Sequence, residues 1–546
     1  MISNEVTVCI NPATGENIGE YRVDTVEELN EAASGARRAQ PLWAAMPLKE
    51  RIRIILKTRR YIVDHLDELA ETISRDNGKT RMDALMAEGL PMAMAVTYYC
   101  KMAPAFLKDK KISPANILYS NRKSFIVQKP FGVVGIISPW NYPASIPFSE
   151  IIMALLAGNT VIFKGASETQ VVGHFLKSCL EAAGLPEHVF NYINLPGRFA
   201  GDAFLNAGID KLFFTGSVSI GKYLMKKASE RLVPVSLELG GNDPMIVCED
   251  ADLYRSVKGA VWAGLQNAGQ SCGGVERIYV HRNVYAEFLA LLKKEVEALR
   301  IGPDEDFNVD IGAMTTERQM ETVRLHIEDA LAKGATIFAR SDPPYRVKGQ
   351  FMPCMVLTDV HHDMLVMRDE TFGPVLGVMP YDSIDEAIAL ANDSHLGLTA
   401  SVWSKDSRKA IAIGRKIMAG AITINDHLFS QGLAETPWGG FKESGIGRTH
   451  GALGFAEMTQ PQVIVKDTMP LVRKNFWWHP FSREVYEGTK GVAYFLYGNG
   501  LLQRVKGLIA LLKVFPRTFV GDKVPPKICC MRRRLYNLDN PGVHKA

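Results

Sequence analysis

Short runs of branched and aromatic residues alternate with helix-length amphipathic stretches twice along this chain, and that alternation limits its fold more than any other feature. The first series holds FGVVGIISPW, NTVIFK and KLFFTGS, with helical patterns at 145–157 and 171–184, and PVSLELGGNDPMIV follows. The second holds RIYVH, ATIFAR, PVLGVMPY, TASVWS and AITIND, with helices expected over 284–299, 383–392 and 406–418. Short, wholly apolar strands separated by helices are the signature of parallel sheets covered on both faces. The pattern predicts two doubly wound α/β units. Residues 27–110 read mostly as helix, because Ile52, Ile55, Leu56, Ile62, Leu66 and Leu69 recur at spacings of three and four. Neither an internal repeat nor a low-complexity segment is evident.

Composition excludes several classes. At 47% hydrophobic and 22% charged, the 546 residues match an ordinary globular protein rather than a disordered or fibrous one. A net charge of +4 is too small to steer the whole molecule onto nucleic acid. Eight scattered cysteines without a CxxC argue against a disulfide framework or a metal site and for a reducing compartment. MISNEVTVCINPATGE has no basic segment followed by an apolar one, so no secretory signal is expected. No apolar run approaches the ~20 residues of a spanning helix. A cytoplasmic protein is expected. Its charge is nevertheless uneven: residues 471–546 carry fourteen Lys/Arg against four Asp/Glu, which leaves a mildly acidic body.

Several motifs carry chemistry. Cys272, in NAGQSCGG, is flanked by small residues that expose a thiol and free backbone N–H groups. Glu238 closes an apolar run before Gly240-Gly241, where α/β sheets open onto ligands and burial tunes an acid toward base duty. Asn141, in PWNYP, offers an amide donor of the kind that builds oxyanion holes. Phe214-Thr215-Gly216-Ser217, with Gly221 beyond, forms a small-residue junction where a pyrophosphate could meet a helix N-terminus. Singly, each has a plainer reading: a buried cysteine, a strand-end acid, a turn asparagine, a loop.

Together these residues resemble the aldehyde dehydrogenase superfamily. The likeness covers roughly residues 10–468, through NPATGE, PWNYP, VIFK, FTGS, LELGGNDP, GQSC, ETFGPV and PWGGFKESG in that order. The resemblance implies a cofactor-binding domain (1–118 and 132–240), a catalytic domain (241–453) and a small β oligomerisation arm (119–131 and 454–468). It implies a homodimer or homotetramer. Cys272 would be the nucleophile, Asn141 an oxyanion donor and Glu238 the base that activates water. Trp140, Lys164, Gly216, Ser217, Gly221, Glu370 and Phe372 would hold NAD or NADP. One position departs from the family pattern. Where NAD-preferring members place Glu three residues after the equivalent of Lys164, this chain has Ser167, with Glu168 one later, so both cofactors stay open. Tyr142, Ser149 and Gly273 would line the substrate tunnel, and the small side chains at 149 and 273 would widen it.

The tail, 471–546, lies beyond the usual family ending. Leu501, Val505, Leu508 and Leu512 share one helical stripe, Gln503, Lys506 and Lys513 another, and Trp477 and Trp478 precede them. This reads as a basic amphipathic helix for a membrane surface, with packing on the protein's own body as the alternative. Cys529 and Cys530, beside Arg532–Arg534, form a weak lipidation pattern. No nucleic-acid-binding motif accompanies the charge. The expected substrate is a long apolar aldehyde oxidised to its acid. The rivals are a small semialdehyde, acyl transfer to coenzyme A, and a catalytically silent membrane scaffold.

Overall fold

The computed structural model describes residues 5–344 and 348–520; the lipidation pattern at Cys529, Cys530 and Arg532–Arg534 lies outside the described residues. The chain divides into two compact units.

The larger unit comprises 1–109 and 127–462 and carries two predominantly parallel sheets. The six-stranded sheet runs Gly445–Ile446, Val235–Glu238, Lys211–Thr215, Val133–Ile137, Thr160–Lys164, Phe190–Tyr192. All its pairs are parallel except the first. The earliest strand, Val133–Ile137, sits in the middle, so the strand order reverses beside it. In doubly wound sheets the ligand crevice opens at that reversal, outside the carboxyl ends. Register brings those ends level: Ile137 lies beside Lys164 and Phe214, and Thr215 beside Glu238.

The seven-stranded sheet runs Thr336–Ser341, Cys354–Thr358, Val375–Tyr381, Val275–His281, Asp243–Val247, Thr399–Trp403, Ala421–Ile424. Only the edge strand Thr336–Ser341 is antiparallel. PVSLELGGNDPMIV holds two strands, Val235–Glu238 and Asp243–Val247, in two sheets. The chain crosses at Gly240-Gly241, where a Cβ on Gly240 would lie 2.4 Å from a Glu370 carboxylate oxygen.

The expected helices are present at Ser145–Ala157, Gln170–Ala182, Arg282–Glu297 and Ile384–Asn392. The one expected over 406–418 stops at Gly414, because the chain must turn at Ile417–Gly420 to enter Ala421–Ile424. Helices Leu253–Leu265 and Glu317–Ala332 were not expected. The helix Ser145–Ala157 is buried at every residue except Ile146.

The smaller unit comprises 110–126 and 463 onward. Its strand residues are Lys110–Ile112, 122–126 and 463–467, from a three-stranded sheet in the order Thr459–Asp467, Arg122–Pro130, Lys110–Ile112. The tail forms two helices rather than the single one expected, Arg483–Tyr497 and Leu501–Val514. They pack as a hairpin through glycines: a Cβ on Gly507 would lie 2.5 Å from the Gly491 carbonyl oxygen. Leu501, Leu502, Val505, Ile509 and Leu512 are exposed, whereas Leu508 is half-buried.

Candidate functional site

Three elements converge on Cys272. The first is the loop from Ser138 to Ala144, which carries Asn141 from the central strand into the helix Ser145–Ala157. The Asn141 side chain is buried, and its Nδ2 donates to the Gln270 carbonyl at 3.1 Å, two residues before the cysteine. One amide hydrogen is thereby committed and the other remains for a ligand. The Asn141 carbonyl accepts from Lys79 Nζ at 2.7 Å and from Asn267 Nδ2 at 3.1 Å.

The second is the buried pair Lys79–Glu88, with an N–O distance of 2.7 Å and both side chains fully covered. The other Glu88 oxygen accepts from the N–H groups of Ala144 and Ser145, so it also caps the helix that follows the loop. Burial pulls the Lys79 pKa down, and the Glu88 carboxylate opposes that pull. Neither residue stands out in the sequence. Isolated Lys and Glu are ordinarily solvated, and only the fold shows these two to be partners.

The third is the turn before the cysteine. Asn267, Ala268 and Gly269 all take left-handed backbone angles, with φ of 52°, 54° and 72°. For residues with a Cβ this costs roughly 1–2 kcal/mol each. Asn267 offsets the cost through Nδ2 bonds to the Gln270 and Asn141 carbonyls and an N–H bond to half-buried Asp83. Gly269 is obligatory, since a Cβ there would lie 2.1 Å from the Gly373 carbonyl oxygen.

Cys272 thereby reaches a cavity of about 210 Å³ lined also by Tyr142, Ser149, Glu150, Glu238 and Gly273. Its remaining walls are largely apolar, Met86, Leu90, Met94, Trp262, Phe429 and Trp438 among them, and among the described residues no lysine or arginine lines it. Gly273 does not widen the cavity as expected: a Cβ there would meet the Trp438 ring at 2.8 Å, so the indole already fills that space. Burial, then the Glu370, Asp243 and Glu238 carboxylates, push the Cys272 thiol well up. Glu238 is also raised well above the carboxylate range, first by burial and then by Glu150; Arg448 opposes this.

The second group of expected residues surrounds the carboxyl ends of the six-stranded sheet. Trp140 meets Phe372 edge-on, with centroids 5.5 Å apart at 85°. Glu370 accepts from the Gly241 N–H at 2.9 Å. Buried Glu276, unmarked in the sequence, fixes this loop by accepting from the Thr371 and Phe372 N–H groups. Ser217 caps the helix Val218–Ser229 without a side-chain bond to its N–H groups, and Gly221 is buried in its first turn. Lys164, 4% exposed at its strand end, has no hydrogen-bond partner for its ammonium among the described residues. Ser167 is half-buried and Glu168 exposed on the 3₁₀ turn Ser167–Thr169. Uncapped helix N–H groups, an unpartnered ammonium and a carboxylate near the cysteine fit a dinucleotide's phosphates and riboses. Among the described residues, no group of three or more His, Cys, Asp or Glu is placed to hold a metal.

The aldehyde dehydrogenase family profile matches residues 2–464. The chain belongs to the aldehyde dehydrogenase family. It is 38% identical over 514 residues to a 4,4'-diapolycopene aldehyde oxidase from Methylomonas sp., covering 94% of this chain and 96% of that protein. An alignment of that length must run well into the tail. A putative NADP-dependent succinate-semialdehyde dehydrogenase from Mycolicibacterium smegmatis is 38% identical over 452 residues, 83% of this chain and 87% of that one. The NAD+ complex of a Bacillus cereus aldehyde dehydrogenase superposes with a TM-score of 0.81 at 32% identity, covering 85% of this chain and 94% of the other. This aldehyde dehydrogenase is thus an NAD(P)-dependent oxidoreductase of the two-sheet α/β fold.

Proposed function

We propose that this aldehyde dehydrogenase oxidises long, apolar aldehydes to carboxylic acids. The observation that carries the reading is the cavity at Cys272, whose walls are largely apolar and hold no cation. A carboxylate-bearing semialdehyde would bury its charge there with no lysine or arginine among the described residues to pair it. The relative whose similarity extends into the tail is named for a carotenoid-type aldehyde, which supports the same class.

In this reading the thiol gives its proton to solvent as the Cys272 sulfur bonds to the carbonyl carbon, and Glu238 stays free to act as the base in the later step. The second amide hydrogen of Asn141 and the Cys272 backbone N–H hold the oxyanion. NAD or NADP, when bound, supplies the hydride acceptor that turns the thiohemiacetal into a thioester. Lys164, Ser217 and the N-terminus of Val218–Ser229 would hold it, with Glu370 and Phe372 beside its reactive end. Glu238 then takes a proton from water as the water oxygen bonds to the acyl carbon. The C–S bond breaks and the sulfur keeps its electrons. A base at this place favours hydrolysis over acyl transfer, and the intact nucleophile, donor and base argue against a silent scaffold. Product analysis tests this: the free acid is expected at equal rates with and without coenzyme A, and an acyl-coenzyme A product would overturn it.

We infer that the tail hairpin seats on an anionic lipid surface. Its exposed row Leu501, Val505, Ile509 and Leu512 repeats at helical spacing, with Lys506 and Lys513 alongside. No helix among the described residues is long and apolar enough to cross a membrane. The exposed edge strand Thr459–Asp467 would pair with a second copy in a homodimer or homotetramer. In flotation with anionic vesicles, the doubly substituted Ile509→Asp, Leu512→Asp protein is expected to bind at least tenfold more weakly, since each buried side chain contributes ~1.5–3 kcal/mol. Equal flotation would refute membrane seating.

A further inference from the structure

The cavity holds a second acid that the reaction as read leaves unused. Glu150 lies on the helix Ser145–Ala157, and Ile146, Ser149 and Glu150 turn one face of it toward the cavity. The residue is 2% exposed, and its Oε2 has no hydrogen-bond partner. Glu238 is 7% exposed, and its Oε2 is likewise unpartnered, as is Thr215 Oγ1 on the same wall. A carboxyl group buried without a partner costs stability, so its retention points to use.

The hydrolytic step creates a demand that Glu150 can meet. Each turnover leaves on Glu238 the proton it has taken from water, and that proton must depart before the next. The other titratable groups near the pair serve poorly. The Tyr99 hydroxyl is hydrogen-bonded to His450 Nδ1, and burial holds His450 neutral, down to about 4. Tyr142 and the Cys272 thiol are both raised by burial. Arg448 and Glu457 act on Glu238 only through their charges. Burial places the Glu150 carboxyl at about 8, so it exchanges protons near neutrality.

We propose that Glu150 is a proton-relay residue that acts through Glu238, taking from it the proton abstracted from water and passing it to solvent. The transfer balances: Glu238 returns to its carboxylate as Glu150 becomes the acid, and no electrons move. It rests on the reading of Glu238 as the hydrolytic base.

The test uses the full-length enzyme with NAD(P)+ and a long-chain aldehyde in rapid mixing. Glu150→Gln is expected to leave the first-turnover burst of NAD(P)H within twofold of wild type and to lower the steady rate at least tenfold. Its acidic limb of kcat should also move. A neighbouring carboxylate raises the Glu238 pKa, so removing it lets Glu238 ionise at lower pH, and the limb shifts down by about one pH unit. Glu150→Asp, which keeps the carboxyl, should retain the wild-type limb. If the glutamine variant does not fold, Glu150→Met serves the same comparison. A steady rate at the wild-type level, or a slowed rate with an unmoved limb, overturns the relay. Glu238→Gln separates the two readings. If it hydrolyses the thioester normally, the base assignment itself fails. If it stalls after the burst while Glu150→Gln behaves as wild type, only the relay fails.

Discussion

Cys272→Ala is expected to lower kcat by at least about 10⁴-fold, because a reaction that runs through a covalent intermediate loses its whole path with the nucleophile. Cofactor affinity should stay within about threefold of wild type. The sulfur makes no hydrogen bond that shapes the cofactor cleft, and the turn that presents it is held by Asn267 and Gly269 instead. The measurement pairs NAD(P)H absorbance with a fluorescence titration of bound cofactor. The expected pattern is turnover lost and binding kept. Turnover at the normal rate would refute the assignment of Cys272 as nucleophile. Loss of both would show that the cysteine supports the fold of the cleft rather than the chemistry.

The second large effect concerns substrate choice. Extending a straight-chain aldehyde from four to eight carbons moves four methylenes onto the apolar walls around Cys272. At ~0.8 kcal/mol each this is about 3 kcal/mol, or on the order of a hundredfold in kcat/KM. Succinic semialdehyde should fare worse than butanal, because its carboxylate would enter a cavity whose ionisable lining includes Glu150 and Glu238 but no lysine or arginine. A panel of aldehydes of rising length, with the semialdehyde included, checks both statements. A best substrate of four carbons or fewer, or a preference for the semialdehyde, would overturn the apolar reading.

Different parts of this site were legible to different degrees. Cys272, Glu238 and Asn141 stand in short motifs whose local chemistry is visible in one dimension: small residues round a thiol, an acid before two glycines, an amide between prolines. Lys79, Glu88 and Glu276 carry no such mark. Each acts by bonding to a backbone group distant in sequence, as Lys79 does with Asn141 and Glu276 with Phe372. Gly273 shows the opposite error. Its lack of a side chain suggested open space, and Trp438 from far along the chain fills it. In the tail only Leu501–Val514 shows a clear stripe, so the sequence predicts one helix there. The glycines of Arg483–Tyr497 weaken that segment's helical pattern, yet they are what let the two helices approach.

The order of residues alone determined most of the elements, the two α/β units they build and the cysteine proposed as nucleophile, since periodicity and motif are local properties of a chain. Where the strand order reverses, which carboxylates share one cavity and what fills the space beside the cysteine were decided only by folding. Burial and charge proximity depend on residues brought together from far apart, and Glu150 acquires a role only when the helix that carries it is set facing Glu238.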